Sequence, residues 1–326
     1  MTGAPEDPPR RQRVMLLGGT GTIGRAAAQA LIDEGHEVVC FVRPGAAGLP
    51  DNAVIRTGQA TDVASLRDDA FRGEGFDVMV SCLASRSGSP EDAWAIDHRA
   101  HVMALDEARR AGVHHVVLLS AICVQKPRLA FQHAKLAFEK VLADSGLAYS
   151  IVRPTAYFKS LSGQIDRIRR GKPFLLFGDG QLTATKPISD HDLGRYIALC
   201  LRDSSLRGIL PIGGPGPAFT PRQQGQWLFE LLGWPPRFRC VPVAMLDAIV
   251  ATLAALGTLS PKLREKAELA RIGRYYATES MLTWDAGTGR YDADATPSFG
   301  SDTLRDHYAA ILAGAPEQDL GAHRVF

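Results

Sequence analysis

The stretch Val14-Met-Leu-Leu-Gly-Gly-Thr-Gly-Thr-Ile-Gly24 decides the fold, because an apolar strand runs into three glycines spaced three residues apart. Gly18, Gly21 and Gly24 permit a tight turn, a close approach of the backbone to a pyrophosphate, and close packing of the next helix on the sheet. An amphipathic helix follows over residues 25–34, and its N-terminus offers free N–H groups and a positive dipole end to phosphates. The pattern predicts a dinucleotide-binding unit, with a glycine-rich turn that holds no ligand as the alternative.

The end of the second predicted strand indicates which dinucleotide binds. Residues 37–42 are followed by Arg43, whereas an NAD site usually has Asp or Glu there to accept hydrogen bonds from the ribose hydroxyls. A guanidinium can hold a 2′-phosphate through a forked pair of charge-assisted hydrogen bonds. We therefore expect NADPH as the cofactor; a solvated arginine at a strand end is the alternative.

Composition and charge fit a soluble enzyme with a large core. The 326 residues are 45% hydrophobic, and 37 basic against 35 acidic residues leave a net charge of +2, so no broad nucleic-acid surface is expected. The five cysteines form no Cys-x-x-Cys pair, and we expect reduced thiols, no metal site and a cytoplasmic location. Residues 1–12 lack the apolar core of a signal peptide and are predicted to be a disordered tail.

Alternating strands and helices predict an α/β fold, in which residues 13–155 form a Rossmann-like, doubly wound parallel sheet that binds NADP. The segment 187–213 is expected to return to this sheet. Residues 156–186 and 214–312 are expected to form a smaller, mostly helical C-terminal substrate lobe, and 313–326 a flexible tail. The candidate strands are 13–17, 37–42, 53–57, 77–82, 115–119 and 148–152, and the candidate helices are 22–34, 62–71, 91–111 and 129–145.

Residues that directly follow the strands are candidates for cofactor contacts, because ligands bind beyond the carboxyl ends of the strands in such sheets. Asp62 and Val63 follow the third strand and could contact adenine, although a helix N-cap explains Asp62 equally well. Small side chains after the fourth strand would let the ribose lie close to the backbone. The predicted cofactor-binding residues are Gly18, Thr20, Gly21, Thr22, Ile23, Gly24, Arg43, Asp62, Val63, Cys82, Leu83, Ala84, Ser120, Lys135 and Pro154.

The fifth strand ends at Ser120, and Lys135 lies on the helix that follows. This arrangement resembles that of short-chain dehydrogenases, which carry a serine and a Tyr-x-x-x-Lys motif there, with tyrosine as the general acid and lysine on the ribose. Phe131 stands at the tyrosine position, and phenylalanine cannot protonate an alkoxide. The resemblance therefore favours hydride delivery to a carbon–carbon double bond, or binding without turnover. A surface lysine is the alternative for Lys135.

Aromatic residues after the sixth strand are candidates for substrate contact. Tyr157 and Phe158 could form a wall for a flat ligand, or could pack in the core. His191, near the start of a later helix, is a candidate acid–base group, but a lone histidine in a first turn is more often structural.

A long apolar run covers residues 241–259. Its length approaches that of a membrane-spanning helix, but Pro242, Asp247 and Gly257 interrupt it and basic residues follow directly. We expect a buried helix or a lid. The alternatives are peripheral contact with a membrane surface, which would help to collect an apolar substrate, and a true span.

Six segments carry a resemblance to one family: Gly18–Gly24, Val42-Arg43, Phe131–Glu139, Lys186–Asp190, Ala267–Met281 and Asp294–Leu304. Together they resemble the NADPH-dependent divinyl (proto)chlorophyllide 8-vinyl reductases, which are atypical short-chain dehydrogenase/reductase proteins. The first half is shared with NmrA-like and isoflavone-reductase-like proteins, whereas the stretch 267–304 discriminates between them.

The resemblance implies that NADPH gives a hydride to the 8-vinyl group of chlorophyllide or protochlorophyllide and that a proton completes the ethyl group. Charge would delocalise into the macrocycle, so no tyrosine is needed at position 131. Lys135 would orient the nicotinamide ribose or relay the proton, with Tyr157 or water as the alternative donor. The substrate brings its own magnesium, and the implied substrate-binding residues are Phe131, Tyr157, Phe158, Tyr275 and Tyr276.

Two other functions remain compatible with the motifs. An NADP(H)-binding redox sensor of the NmrA type keeps the glycine turn and lacks the catalytic tyrosine, but the stretch 267–304 argues against it. An isoflavone-reductase-like enzyme would reduce a smaller phenolic alkene, and the width of the cleft would distinguish it. The oligomeric state is not predicted.

Overall fold

The computed structural model of the protein describes residues 11–258 and 260–315. Most of the two predicted tails, 1–12 and 313–326, therefore lies outside the described residues. The strands are β1 (Arg13–Leu17), β2 (Glu37–Val42), β3 (Val54–Thr57), β4 (Val78–Ser81), β5 (His115–Leu119), β6 (Ala148–Pro154), β7 (Phe174–Phe177), β8 (Gly208–Ile212), β9 (Phe238–Val241), β10 (Thr283–Asp285) and β11 (Arg290–Asp292).

Twelve α-helices lie in the described part of the chain. They are α1 (Thr22–Asp33), α2 (Val63–Ser65), α3 (Pro90–Ala93), α4 (His101–Arg110), α5 (Ala130–Ala143), α6 (Phe158–Leu161), α7 (Ile165–Arg169), α8 (Asp190–Arg202), α9 (Pro221–Leu232), α10 (Val243–Gly257), α11 (Pro261–Thr278) and α12 (Leu304–Leu312). Wider π-helical turns continue α2 over Leu66–Phe71 and join α3 to α4 over Trp94–Ala100.

A seven-stranded sheet forms the centre of the molecule, in the order β3-β2-β1-β4-β5-β6-β8 with every neighbouring pair parallel. Successive side chains of a strand point to opposite faces, and β1 is apolar on both. Val14 and Leu16 pack with α1 and α8 on one face, whereas Met15 and Leu17 pack with α4 and α5 on the other. The predicted doubly wound Rossmann-like fold is confirmed.

The C-terminal lobe packs around a second apolar cluster that includes Phe158, Phe174, Phe229 and Tyr308. Strands β7 and β9 form a short parallel pair within it, and β10 and β11 form an antiparallel hairpin. The chain enters this lobe after β6, returns to the sheet layers with α8 and β8, and leaves again after β8.

The apolar run 241–259 is not the buried helix that its composition suggested. Residue 259 lies outside the described part, and none of the residues of α10 is buried. One side of α10 packs on α11, and the other side exposes Met245 (48%), Ile249 (41%) and Leu256 (42%). The expectation failed because composition does not specify how many sides of a helix pack against other elements. Among the described helices, we find none with the length and apolarity needed to cross a bilayer.

Candidate active site

A cavity of about 810 Å³ lies between the carboxyl ends of the sheet strands and the C-terminal lobe. The glycine turn and the segments that follow β2, β3 and β4 form one wall. Residues 155–164, the segment around β7 and one face of α11 form the other. This is the position at which ligands bind in open parallel sheets.

The glycine turn fits a dinucleotide because it has no room for side chains. Gly18 has φ +77°, and a Cβ atom on it would lie 2.6 Å from the backbone of Cys82 and Leu83. A Cβ atom on Gly24 would lie 2.2 Å from the carbonyl oxygen of Gly18. Gly21 is the N-cap of α1 and provides no side-chain cap, so the first N–H groups of the helix are left for an anionic ligand.

Arg43 lines the cavity directly after β2 and is exposed. Within 11–258 and 260–315, its guanidinium has neither an ion-pair nor a hydrogen-bond partner. A free, forked donor set at this position suits the 2′-phosphate of NADPH.

The cavity wall contains much of the residue set predicted from the sequence. The predicted residues that line the cavity are Gly18, Thr20, Gly21, Thr22, Ile23, Gly24, Arg43, Cys82, Leu83, Ala84, Tyr157, Phe158 and Tyr276.

Several predicted residues lie outside the cavity wall for local structural reasons. Asp62 is the N-cap of α2 and accepts a hydrogen bond from the N–H of Ala64 at 2.9 Å, while Val63 next to it is exposed. Pro154 is buried at the end of β6. Phe131 packs in an apolar cluster behind the cavity with Tyr275.

The Tyr275 side chain is structural. Its hydroxyl donates to the carbonyl oxygens of Cys123 (2.9 Å) and Lys126 (3.0 Å), and its ring is buried. Tyr276 instead lines the cavity, with its hydroxyl 3.8 Å from the Sγ atom of Cys123. Neighbouring helix positions point about 100° apart, and so only one of the two tyrosines reaches the cavity.

Ser120 and Lys135 are both held in buried polar contacts away from the cavity. The Ser120 hydroxyl donates to Glu139, which also pairs with Arg153. The Nζ atom of Lys135 lies 3.0 Å from Oδ1 of Asp97, a carboxylate with no exposed area.

Lys135 nevertheless lies close behind the cavity wall. Burial raises the pKa of the Cys82 thiol to about 12, and the charge on Lys135 opposes this effect. Cys82 lines the cavity, as does Ile96, which directly precedes Asp97, the ion-pair partner of Lys135.

Tyr157 lines the cavity, and its hydroxyl forms no hydrogen bond within the described ranges. Burial is the main reason why the pKa of Tyr157 is raised, so its hydroxyl stays protonated at neutral pH.

The sequence did not single out two polar residues of the C-terminal lobe that line the cavity. Lys159 places its Nζ atom 3.2 Å from Oγ1 of Thr22, the first residue of α1. His307 packs its ring 5.4 Å from that of Phe158, and its Nε2 atom lies 3.3 Å from Oγ of Ser162. The sequence could have identified Lys159, because it follows the end of the same strand as Tyr157. No local sequence pattern identifies His307.

Glu279 also lines the cavity. Its carboxylate accepts hydrogen bonds from Lys126 (2.7 Å) and from the Tyr291 hydroxyl (2.6 Å), and pairs with Arg128 at 3.0 Å. Burial alone would raise the pKa of Glu279, but these partners outweigh it and the pKa is lowered. His191, the other candidate acid–base group, is exposed and lies 3.2 Å from Asp302.

The chain is similar to known proteins along nearly its whole length. Residues 18–204 match a family model described as NAD(P)H-binding. A protein of Oryza sativa subsp. indica named divinyl chlorophyllide a 8-vinyl-reductase, chloroplastic, is 46% identical over 98% of this chain and 83% of that protein. An Arabidopsis thaliana protein of the same name is 44% identical over 96% and 80%. The NADPH complex of an NADPH-dependent quinone oxidoreductase from Escherichia coli shares the fold, with a TM-score of 0.65, 17% identity and coverage of 92% of this chain and 99% of that one.

Proposed function

The chain belongs to the family of divinyl chlorophyllide a 8-vinyl-reductases, and we propose on that premise that it reduces the 8-vinyl group of divinyl chlorophyllide a to an ethyl group with NADPH. It is an NADPH-dependent oxidoreductase that acts on a carbon–carbon double bond. One structural observation carries the proposal furthest: a single cavity joins the glycine turn to an apolar lobe.

The residues of the sheet side would hold the cofactor. The first N–H groups of α1 would bind the pyrophosphate, Arg43 the 2′-phosphate, and the backbone around Cys82 and Ala84 the nicotinamide ribose. Bound NADPH supplies the hydride. Asp62, which caps α2, is left out of this assignment.

The residues of the C-terminal lobe would hold the macrocycle. Phe174, Leu182 and Ile272 give this end of the cavity an apolar lining that suits a flat, conjugated ring. Phe158 and Tyr157 lie where the two ends meet. The magnesium of the substrate comes with the ring, so the chain needs no metal ligand for it.

We assign the proton donor to the Tyr157 hydroxyl. It lines the cavity, has no hydrogen-bond partner among the described residues, and is protonated at neutral pH. The conjugated ring would spread the negative charge of the reduced carbon, and a neutral hydroxyl can then deliver the proton. Lys135 supports the wall from behind through Asp97, in a positioning role.

The proton assignment predicts unequal effects for the two cavity tyrosines. We expect Tyr157→Phe to lower kcat by about 100-fold or more, since general acid catalysis contributes on that order. The matched variant Tyr276→Phe should retain most of kcat, and both should bind NADPH normally in a fluorescence titration. If kcat falls in Tyr276→Phe and not in Tyr157→Phe, Tyr276 is the proton donor instead.

We further propose that α10 rests on a membrane surface that carries anionic lipids. Its exposed side is apolar, and its one charged residue, Asp247, is paired with Arg274. The stretch 237–274 contains seven basic and three acidic residues, although the whole chain has a net charge of only +2. An apolar helix side with basic surroundings is typical of interfacial binding.

The test of the reaction is an absorbance assay with purified protein and 3,8-divinyl chlorophyllide a. We expect a blue shift of the Soret band with NADPH and little shift with NADH at the same concentration. Arg43→Ala should reduce the preference for NADPH over NADH. If NADPH binds and the pigment spectrum never changes, the reaction proposed here is wrong and a binding function without turnover takes its place.

A further inference from the structure

A second cation, on the substrate side of the cavity, reaches the phosphate-binding turn. Lys159 lies on α6, and its Nζ atom is 3.2 Å from the Thr22 hydroxyl. Thr22 is the first residue of α1, directly after the uncapped Gly21. The ammonium group therefore stands beside the helix N-terminus from the opposite wall of the cavity.

Lys159 lacks the carboxylate partner that three other lysines of the chain have. Lys126, Lys135 and Lys140 each pair with a carboxylate at 2.7 to 3.0 Å. In the described part of the chain no carboxylate pairs with Lys159, although the side chain is half-buried. A partly buried ammonium without a counter-charge is costly unless a ligand supplies one.

We infer that Lys159 binds the pyrophosphate of NADPH and thereby couples the substrate wall to the cofactor. The proposal rests on NADPH as the cofactor of the proposed function. The α1 N-terminus offers only N–H groups and a partial positive charge to a group with two negative charges. An ammonium beside Thr22 would supply the missing full charge, while Arg43 after β2 would serve the 2′-phosphate.

The coupling follows from the position of Lys159 in α6. Phe158 directly precedes it, and Tyr157 is the N-cap of the same helix. A contact between Lys159 and bound phosphate would therefore fix the short helix that presents both aromatic side chains to the substrate. NADPH binding would thus order the wall on which the macrocycle rests.

The test uses ligand binding without any pigment, so that it stays readable if the reaction proposed above fails. The affinity of NADPH and NADH is measured by their fluorescence, and that of two fragments by competition. ADP-ribose carries the pyrophosphate without a 2′-phosphate, and 2′-AMP carries the 2′-phosphate without a pyrophosphate. We expect Lys159→Met to lower the affinities for NADPH, NADH and ADP-ribose by a similar factor of about 10 to 100, which is the effect of losing one charge-assisted hydrogen bond.

The pattern across ligands and variants decides the inference. Lys159→Met should leave the affinity for 2′-AMP unchanged, and Lys159→Arg should recover part of the affinity for ADP-ribose. Arg43→Ala should lower only the affinities for NADPH and 2′-AMP. Lys172→Met is the matched control, because Lys172 is exposed and outside the cavity wall. An unchanged affinity for ADP-ribose in a folded Lys159→Met protein would overturn the inference. So would a loss of affinity for 2′-AMP as large as the loss for ADP-ribose. Should Lys159→Met fail to fold, Lys159→Gln takes its place.

Discussion

Asp97 determines where the Lys135 side chain lies. The carboxylate has no exposed area, one of its oxygens has no hydrogen-bond partner, and the other faces the ammonium group of Lys135. Removal of one member of a buried ion pair leaves the other charge uncompensated in a low dielectric. The lysine is therefore needed for stability whether or not it touches the cofactor.

Lys135→Met should lower the free energy of unfolding by about 3–5 kcal/mol, because Asp97 is left as a lone buried charge. The double variant Lys135→Met/Asp97→Asn should recover most of that loss in urea unfolding, since the carboxylate is gone. NADPH oxidation by the double variant then separates the two roles. If activity returns with stability, the lysine only positions the wall; if stability returns and activity does not, it takes part directly.

The residues of the cavity wall fall into two groups with different physical origins. The glycine turn and Arg43 belong to a single βαβ unit (β1, α1 and β2), so local sequence was sufficient to place them at the cavity. Lys159 and His307 reach the cavity only because the C-terminal lobe packs against the sheet, and no local pattern encodes that contact. Asp62 had two interpretations from the sequence, and the hydrogen bond to Ala64 decides for the N-cap.

At the level of elements, periodicity predicted the sheet well and the surface helices less well. Strands β1, β2 and β5 have the bounds expected from their apolar runs. The single helix expected over 91–111 consists of α3, a π-helical turn and α4, because a wider turn shifts the buried side without ending the helix. Helix α10 was misjudged because nearly all of its residues are apolar, whereas it packs on one side only.

The exposed side of α10 makes the membrane proposal testable. Ile249→Glu/Leu256→Glu should abolish co-sedimentation with vesicles that contain phosphatidylglycerol, because two charges would have to enter the lipid interface. NADPH binding should be unchanged. Ile55→Glu is the control, since Ile55 is also exposed but lies on strand β3 of the central sheet. Absence of vesicle binding by the unaltered protein would refute a membrane role for α10.

At the scale of the whole molecule, buried histidines link stability to pH. His101 lies between the sheet and α5 with its ring against Phe138, and burial lowers its pKa to about 4. His115 in β5 contacts the Ser150 hydroxyl at 3.0 Å, and burial together with the charge on Arg207 lowers its pKa to about 3. Both rings are neutral in the folded protein at neutral pH.

Because these histidines titrate near pH 6.5 when unfolded, the unfolded chain binds more protons than the folded one below that pH. We expect the free energy of unfolding to be greatest above pH 6.5 and to fall as the pH is lowered towards 4. Urea unfolding at a series of pH values measures this slope. In His115→Gln the free energy of unfolding should change less steeply with pH between 6.5 and 4. An unchanged slope would mean that other groups cause the pH dependence.

The path of the chain between sheet and C-terminal lobe restricts how the cleft can open. The backbone passes from one to the other after β6, again before α8, and a third time after β8. A swing of the whole lobe about a hinge would have to bend the chain at all three crossings together, whereas a protein with one crossing bends at one. Movement of one short segment such as α6 changes far fewer backbone torsions. The connectivity therefore favours entry of a broad, flat molecule by local movement of short segments, with the two halves of the protein held in a fixed relation.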